Sequence, residues 1–413
     1  MKGTRLLGAI LALLFMSLTS LTVPPPGFAR NDRDVPFRGM AERAEHSPFD
    51  AEAVDRLRNA LPSYPHAWSQ ELHRGSEAPG GPESQSGPEF TRIVPGVGPE
   101  ASGRGETLLT DVYAYWAHYR LGAESARRQL GAISVNDMRL AVQVFTPAST
   151  PEAVAHHPET PGERCTILYI HGYLDHTGLS RYAISRFLER GYTVVAMDMP
   201  GHGLSTGARG EIDDFSRYGM AVEGVIRAIR SGRINGLPED TPLSGIAHST
   251  GGSAFLEYIY RGGEELDRLV LAAPLVRLYA FPLARIGVRI TSDILEDLPR
   301  RVSASSSNDE YIAFAQDHDP LAIEDASLEW SEAYLSWEES RRDFPVYMFP
   351  VLLLQPGDDT VVDTEYNTDF LSRSFPRLEY AEFEDARHAI LNEPREHRRG
   401  LYERVDRFLD GRR

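Results

Sequence analysis

The residues best suited to chemistry lie at Gly245-Ile246-Ala247-His248-Ser249-Thr250-Gly251-Gly252. A β-prone run leads into Ser249 and a helical run leaves it. Ala247 and Gly251 stand two residues before and two after the serine, and a sharp strand-to-helix turn needs small residues there. The usual pattern has Gly where Ala247 stands. A serine so placed is a nucleophile for acyl transfer, but only once a base takes its proton. That base should be a histidine held in one tautomer by a carboxylate. Three histidines follow Ser249: His318, His388 and His397. His388 lies in a loop just past a β-rich run and is the candidate base. His318 falls in a polar insertion and His397 in an Arg-rich helical tail, so both read as surface residues.

The acid should follow the apolar run Val351–Leu354, where Asp358, Asp359 and Asp363 are available; spacing does not choose between the first two. The tetrahedral intermediate needs preorganised N–H donors. The backbone of Thr250 supplies one at the start of the helical run. Tyr173, in the turn His171-Gly172-Tyr173 that closes another β-run, supplies the other. His248 reads as structural, with its ring turned away from the serine oxygen. None of these steps needs a metal or an organic cofactor.

Other features suggest no rival chemistry. His156-His157 are adjacent residues in a Pro-rich loop. Gly96-Val97-Gly98 lacks the strand and helix of a dinucleotide loop. Cys165, the one cysteine, reads as a small apolar residue at a strand start. A lone cysteine excludes a disulfide scaffold and a Cys-based zinc or iron–sulfur site.

The elements that must position these groups alternate. Met138–Thr146, Cys165–Ile170, Tyr192–Met197, Leu243–Ala247, Leu269–Ala273, Val351–Leu354 and Leu378–Phe383 read as strands. Arg181–Arg190, Phe215–Ile229 and the run from Gly251 read as helices between them. Short apolar strands alternating with helices predict an α/β fold, a mostly parallel sheet with helices on both faces. Such sheets carry their chemistry at the C-terminal ends of the strands. The polar stretch 275–345 breaks the rhythm, shows no clear strand, and reads as an insertion over that edge. Upstream, Phe49–Leu61 and Thr107–Leu121 have helical apolar spacing. Residues 75–105 hold eight Gly and five Pro and read as a linker or long loop.

The chain has 413 residues, 41% of them hydrophobic, and a formal charge of −17. That composition is globular. The acidic balance argues against a general nucleic-acid binder, whose phosphate contacts need clustered cations. Lys2 and Arg5, then the apolar run Leu6–Met16 and Gly27-Phe28-Ala29, read as an export signal cut after Ala29. The alternative is an uncleaved membrane anchor, weakened by Ser17, Thr19, Ser20 and Thr22. Cleavage would take the charge from −17 to −19.

These segments together resemble the branch of α/β-hydrolase-fold serine hydrolases that contains monoacylglycerol lipases and bacterial lysophospholipases. His171-Gly172-Tyr173-Leu174-Asp175-His176-Thr177-Gly178, followed by Arg181-Tyr182, is similar to its oxyanion loop. Asp198-Met199-Pro200-Gly201-His202-Gly203-Leu204-Ser205 resembles its Asp-x-x-Gly-His-Gly-x-Ser segment. Ala247 to Gly252 resembles the elbow of the lysophospholipase members. Leu354 to Asp363 resembles the acid segment, and His388-Ala389-Ile390-Leu391 the histidine segment. Five segments agree in order across roughly 107–413.

The resemblance implies Asp359 as the acid, completing a set of Ser249, Asp359 and His388 with Tyr173 and Thr250 as oxyanion donors. It also implies a cap at about 275–345. The resemblance covers the hydrolase domain at 107–413 and not 30–106; the residues themselves add a leader at 1–29 and an N-terminal extension with a Gly/Pro-rich linker at 30–106. The implied substrate is a monoacyl lipid ester, with peripheral membrane contact as a partner. The insertion is too divergent in sequence to carry over pocket residues; its own apolar residues Leu275, Leu278, Tyr279, Phe281 and Leu283 mark the face expected over the acyl chain. Rivals are a short-chain carboxylesterase or acyltransferase, a peptidase whose acidic cap (Asp293, Glu296, Asp297, Asp309, Glu310) would hold an amine, and a binding protein that lost activity. The sequence is silent on acyl length, headgroup and oligomeric state.

Overall fold

The computed structural model describes residues 49–63, 68–72, 91–94, 104–121, 126–147, 165–279 (without 235 and 238), 281, 297–299 and 305–411 (without 342). The expected leader at 1–29, His156-His157, Gly96-Val97-Gly98, Leu283, Asp293 and Glu296 lie outside them. In chain order the elements are α1 (Ala51–Ala60), β1 (Trp68–Leu72), β2 (Thr91–Val94), α2 (Arg104–His118), β3 (Arg127–Val135), β4 (Met138–Thr146) and β5 (Thr166–Ile170). Next come α3 (Arg181–Glu189), β6 (Thr193–Met197), α4 (Ser216–Arg230), β7 (Leu243–His248), α5 (Thr250–Tyr260) and β8 (Arg268–Ala272). The chain continues with β9 (Asp297–Pro299), α6 (Asp309–Asp317), β10 (Asp325–Ser327), α7 (Leu328–Ser340), β11 (Val351–Pro356), α8 (Thr364–Ser374), β12 (Leu378–Phe383) and α9 (Arg395–Leu409).

One sheet carries ten strands in the order β12-β11-β8-β7-β5-β6-β4-β3-β1-β2. From β6 to β12 every neighbouring pair is parallel. The β4–β6 and β3–β4 pairs are antiparallel. The parallel strands are buried on both faces, so they read as continuous apolar runs. Alternate residues feed two cores: Ile167, Tyr169, Val194, Ala196 and Ile246 on one face, Leu168, Ile170, Val195, Met197 and Ala247 on the other. The first core is closed by α1, α2, α3 and α9, and the second by α4, α5, α8 and α7.

The helices and strands read from periodicity are present with ends shifted by a few residues. The strand β3, joined to β4 through a turn with Asn136 at φ 53°, was not legible as a separate run. Within the insertion, α6 lies between β9 and β10 in the chain, these two strands pair antiparallel in a separate small sheet, and α7 follows β10. Those strands are three residues each, too short to leave a pattern.

The segment 30–106 is more than an extension. Its described part is built into the domain, so the boundary at 106/107 does not hold. Asp50 caps α1 by accepting the Ala53 N–H at 3.0 Å. Phe49, Ala53, Val54, Leu57 and Leu61, spaced along one face, are buried in the first core. Phe49 packs edge-on against Tyr115, centroids 5.4 Å apart. The Arg56 guanidinium grips Asp111 with two hydrogen bonds of 2.7 and 2.9 Å. Arg58 donates to the carbonyls of Ser205 and Gly207 at 2.9 and 3.1 Å, reaching the loop after β6. Beyond it, β1 and β2 extend the sheet edge past β3, and α2 starts before residue 107.

Replacing Leu57 with Ala should therefore cost about 2–5 kcal/mol, the usual loss for emptying a packed leucine site. Urea unfolding should show a lower midpoint with an unchanged slope. A neutral result would mean that α1 is not part of the folded unit.

Candidate active site

Six consecutive buried residues of β7 carry the chain to Ser249. The serine then takes φ 50° and ψ −118°, a region that residues with a side chain enter at a cost of about 1–3 kcal/mol. Its backbone is held from several sides. Its N–H donates to the Ala272 carbonyl at 3.1 Å, and its carbonyl accepts from Gly252 at 2.8 Å and Leu275 at 3.0 Å. The need for glycine at 251 is steric: a Cβ there would lie 2.6 Å from the carbonyl oxygens of both Ile170 and His171. The elbow and the end of β5 are thus in backbone contact.

His388 reaches the serine from the loop after β12. Its Nε2 lies 2.9 Å from Ser249 Oγ and its Nδ1 2.9 Å from Asp359 Oδ2. Asp359 has no proton to give, so Nδ1–H donates to it. Nε2 is left as the acceptor for the serine hydroxyl. Asp359 sits in the turn after β11, and its Oδ1 accepts the N–H groups of Val361 and Val362 at 2.8 and 3.0 Å. Burial pushes the Asp359 carboxyl up. The His388 ring and those two N–H groups outweigh it and hold the acid below the usual carboxylate value. Ser249 and His388 are only 6% and 7% exposed, so little water competes for these bonds.

The neighbouring carboxylates are engaged elsewhere. Asp358 faces the Arg387 guanidinium at 3.4 Å in an exposed pair. Asp363 caps α8 by accepting the Tyr366 N–H at 3.0 Å. His318 ends α6 in the insertion, where its carbonyl accepts from His118 at 2.9 Å. His397 lies on α9 beside Glu393. Neither approaches the serine.

His248 differs in part from its expected role. Its ring lies against that of His388, centroids 4.9 Å apart, and its Nε2–H donates to the His388 carbonyl at 2.9 Å. Burial and the adjacent His388 ring push its pKa down to about 3, so it stays a neutral donor. It supports the structure, but the structure it supports is the histidine loop. Its place beside Ser249 was the only sequence signal for that.

The expected oxyanion residues flank the serine. Thr250 is the first residue of α5. Gly172, next to Tyr173, lies so close that a Cβ there would be 3.2 Å from Ser249 Cβ. The loop is tied to β6 by Asp198, whose two carboxylate oxygens accept the N–H groups of Thr177 and Leu204, each at 2.8 Å. His171 Nε2 accepts the Met199 N–H at 3.0 Å, so its Nδ1–H donates to the Gly172 carbonyl at 2.7 Å. Cys165 is half-buried and donates to Ser244 Oγ at 2.9 Å. Burial raises its thiol to about 11, which keeps it protonated and unreactive. Of the expected acyl-lining residues, Leu275 and Phe281 are buried in the second core and Leu278 packs against it, whereas Tyr279 is 46% exposed. Among the described residues no group of three or more His, Cys, Asp or Glu is placed to hold a metal ion. No described helix is long and apolar enough to cross a membrane.

The family described as serine aminopeptidase, S33, matches residues 162–395. The chain is 29% identical over 255 residues to the phospholipase YtpA of Bacillus subtilis, spanning 59% of this chain and 94% of that protein. It is also 29% identical over 155 residues to a monoacylglycerol lipase of Mycolicibacterium smegmatis, spanning 38% of this chain and 49% of that one. A soluble variant of the monoglyceride lipase of Saccharomyces cerevisiae superposes with a TM-score of 0.56 at 19% identity, over 68% of this chain and 94% of that chain. A monoacylglycerol lipase of Paleococcus ferrophilus gives 0.51 at 19% identity, over 60% and 96%. At such identity the structural likeness speaks for the α/β-hydrolase fold.

The buried histidines set an acid limit on stability. Burial lowers the pKa of His118, His171, His202 and His248, whereas an unfolded histidine titrates near about 6.5. Below that pH the unfolded chain binds more protons than the native one, so stability falls with falling pH. The lowered Asp359 carboxyl adds to the loss further down, as pH drops through its folded value. His176 runs the other way. Burial pulls its pKa down, but the Asp319 carboxylate outweighs burial and raises it, so its contribution is whole at low pH and is lost as pH rises. With four groups against one, melting temperature should drop steadily from about pH 6.5 towards pH 4. Calorimetry across that window checks it, and a flat profile would contradict it.

Proposed function

The chain belongs to the family described as serine aminopeptidase, S33, and on that premise we propose that it is a serine hydrolase cleaving carboxylic esters of monoacyl lipids, monoacylglycerols or lysophospholipids. The observation that carries this reading is the line Asp359–His388–Ser249, two hydrogen bonds of 2.9 Å ending on a serine held at φ 50°. Ser249 Oγ attacks the ester carbonyl carbon while His388 Nε2 takes its proton. Asp359 keeps the ring oriented and stabilises the imidazolium. The Tyr173 and Thr250 backbone N–H groups receive the oxyanion. His388 returns the proton to the departing alcohol, which leaves an acyl-Ser249 ester. A water molecule, losing its proton to His388, then releases the acid and restores the serine.

The lipid substrate draws support from the two relatives named for phospholipase and monoacylglycerol lipase activity and from the insertion over the catalytic edge. The peptidase reading has the family's own description behind it. Its acidic amine pocket lacks support in the described part, where Asp309 and Glu310 sit in the first turn of α6 and there complement the helix dipole. The reading of an exported protein rests on the leader. A mature charge of −19 favours neutral over anionic lipid surfaces, within the limits of salt screening.

Fluorophosphonate labelling tests the nucleophile: the natural chain should label and Ser249→Ala should not. Ser249→Ala should lower kcat by about 10⁴–10⁶, and Asp359→Asn by about 10⁴ through the wrong tautomer. A panel of esters graded by acyl length tests the substrate class. Each buried methylene is worth about 0.8 kcal/mol, so kcat/KM should climb beyond about four carbons. A flat response would favour a short-chain esterase, and faster turnover of aminoacyl amides a peptidase.

A further inference from the structure

The oxyanion loop carries a strained residue of its own. Leu174, next to Tyr173, has φ 60°, inside a turn closed by the Asp175 N–H to the Gly172 carbonyl at 3.3 Å. A leucine stays in that region only where its surroundings over-determine it. The insertion grips the loop on both sides of this residue.

On one side is Tyr173. Its hydroxyl donates to the Gly210 carbonyl at 2.8 Å and accepts the N–H of Ser327 at 2.9 Å. Its ring stacks on Trp330 of α7, centroids 3.9 Å apart and 14° from parallel. On the other side is His176. Its Nδ1 accepts the Gly178 N–H at 3.1 Å and so starts the 3₁₀ turn Thr177–Ser180. Nε2 then carries the proton and donates to Asp319 of the insertion at 3.0 and 3.2 Å.

The Asp319 side chain is buried and is held in turn. It accepts the Tyr119 hydroxyl at 2.6 Å and the Leu321 N–H at 3.0 Å. The mechanism proposed above has no use for this carboxylate. Replacing a buried ion or hydrogen-bonded pair by apolar packing is often neutral for stability or better, so stability alone does not explain it.

We propose that Asp319 is a positioning residue for ester cleavage: by holding His176 it fixes the strained turn that presents the Tyr173 N–H to the oxyanion. The cap thereby completes the oxyanion hole as well as covering it. This rests on the reading of Ser249 as nucleophile and Tyr173 as donor.

The test compares the natural chain with Asp319→Asn and His176→Asn, each counted by fluorophosphonate titration so that only competent sites enter kcat. Asparagine at 176 can still accept the Gly178 N–H as a cap but is too short to reach Asp319. Displacing a donor by about 1 Å costs up to about 100-fold. Each variant should therefore lose about 10–100-fold in kcat per titrated site with KM within about threefold. A trifluoromethyl ketone bearing the same acyl chain, whose adduct places an oxyanion in the hole, should lose affinity by the same factor as kcat/KM. The double variant should be no worse than the poorer single one, because both cut one link.

Wild-type kcat per site with a lowered melting temperature would make Asp319 a packing residue and overturn the proposal. A rise in KM with ketone affinity kept would make it a substrate contact, which also overturns it. If Asp319→Asn does not fold, His176→Asn and Tyr119→Phe carry the same comparison. A natural chain that neither labels nor turns over ester overturns the Ser249 reading, and this proposal with it. An active natural chain with indifferent variants overturns this proposal alone.

Discussion

The backbone at Ser249 is the constraint on which the rest of the molecule depends. A residue with a side chain sits at φ 50°, and about 1–3 kcal/mol of strain has to be offset elsewhere. The offset is visible in the bonds around it. Three backbone hydrogen bonds fix the serine's own N–H and carbonyl, and β7 is buried along its whole length. Gly245 lets α5 come down onto the strand, since a Cβ there would lie 2.8 Å from the Phe255 ring. The turn is therefore held between a sheet and a helix that cannot separate without exposing the second core.

Around that turn, loops are tied to one another by buried carboxylates. Asp198 holds the oxyanion loop to the end of β6. Asp359 holds its own turn and the His388 ring. Glu257, on the helix leaving the serine, accepts from Trp337 and Arg341 of the cap at 3.0 and 2.7 Å. Arg277, where the chain leaves β8 for the cap, pairs with Glu338. Each carboxylate accepts several donors, which is what a buried charge requires to be tolerated. The histidine loop is tied in the same way: Ala389 donates to the Ser305 carbonyl at 2.6 Å, and Glu393 accepts from Ser307 and Arg387, each N–H at 3.1 Å. The groups proposed for catalysis come from four loops and share one frame with the insertion.

Much of this was legible in the residues. The parallel strands announce themselves because burial on both faces demands unbroken apolar runs, as in Thr193–Met197. The elbow announces itself because strain there restricts residues 247 and 251 to small ones. Less was legible upstream. Nothing in the Gly/Pro-rich composition of 75–105, read as a linker or loop, suggests that β2 lies within it and β1 just before it, extending the sheet, since two strands at an edge need little apolar content. The packing of Phe49 and Leu57 into the first core is equally silent, because helical spacing shows that a face is apolar but not what it meets.

By itself the sequence determined the local geometry: which runs are strands, where the chain must turn sharply, and that a serine stands on such a turn. It also pointed to His388 as the base and limited the acid to Asp358, Asp359 and Asp363, among which the family resemblance pointed to Asp359. Only the tertiary structure brings them within bonding distance. Asp358 and Asp359 are neighbours with the same chemistry, yet the turn after β11 sends one to Arg387 in solvent and the other under the His388 ring. His248 and His388 are 140 residues apart in their bond, and Asp319 and His176 143 apart. Such pairings depend on the packing of whole layers, whereas patterns of small or apolar residues record only the demands of the backbone nearby.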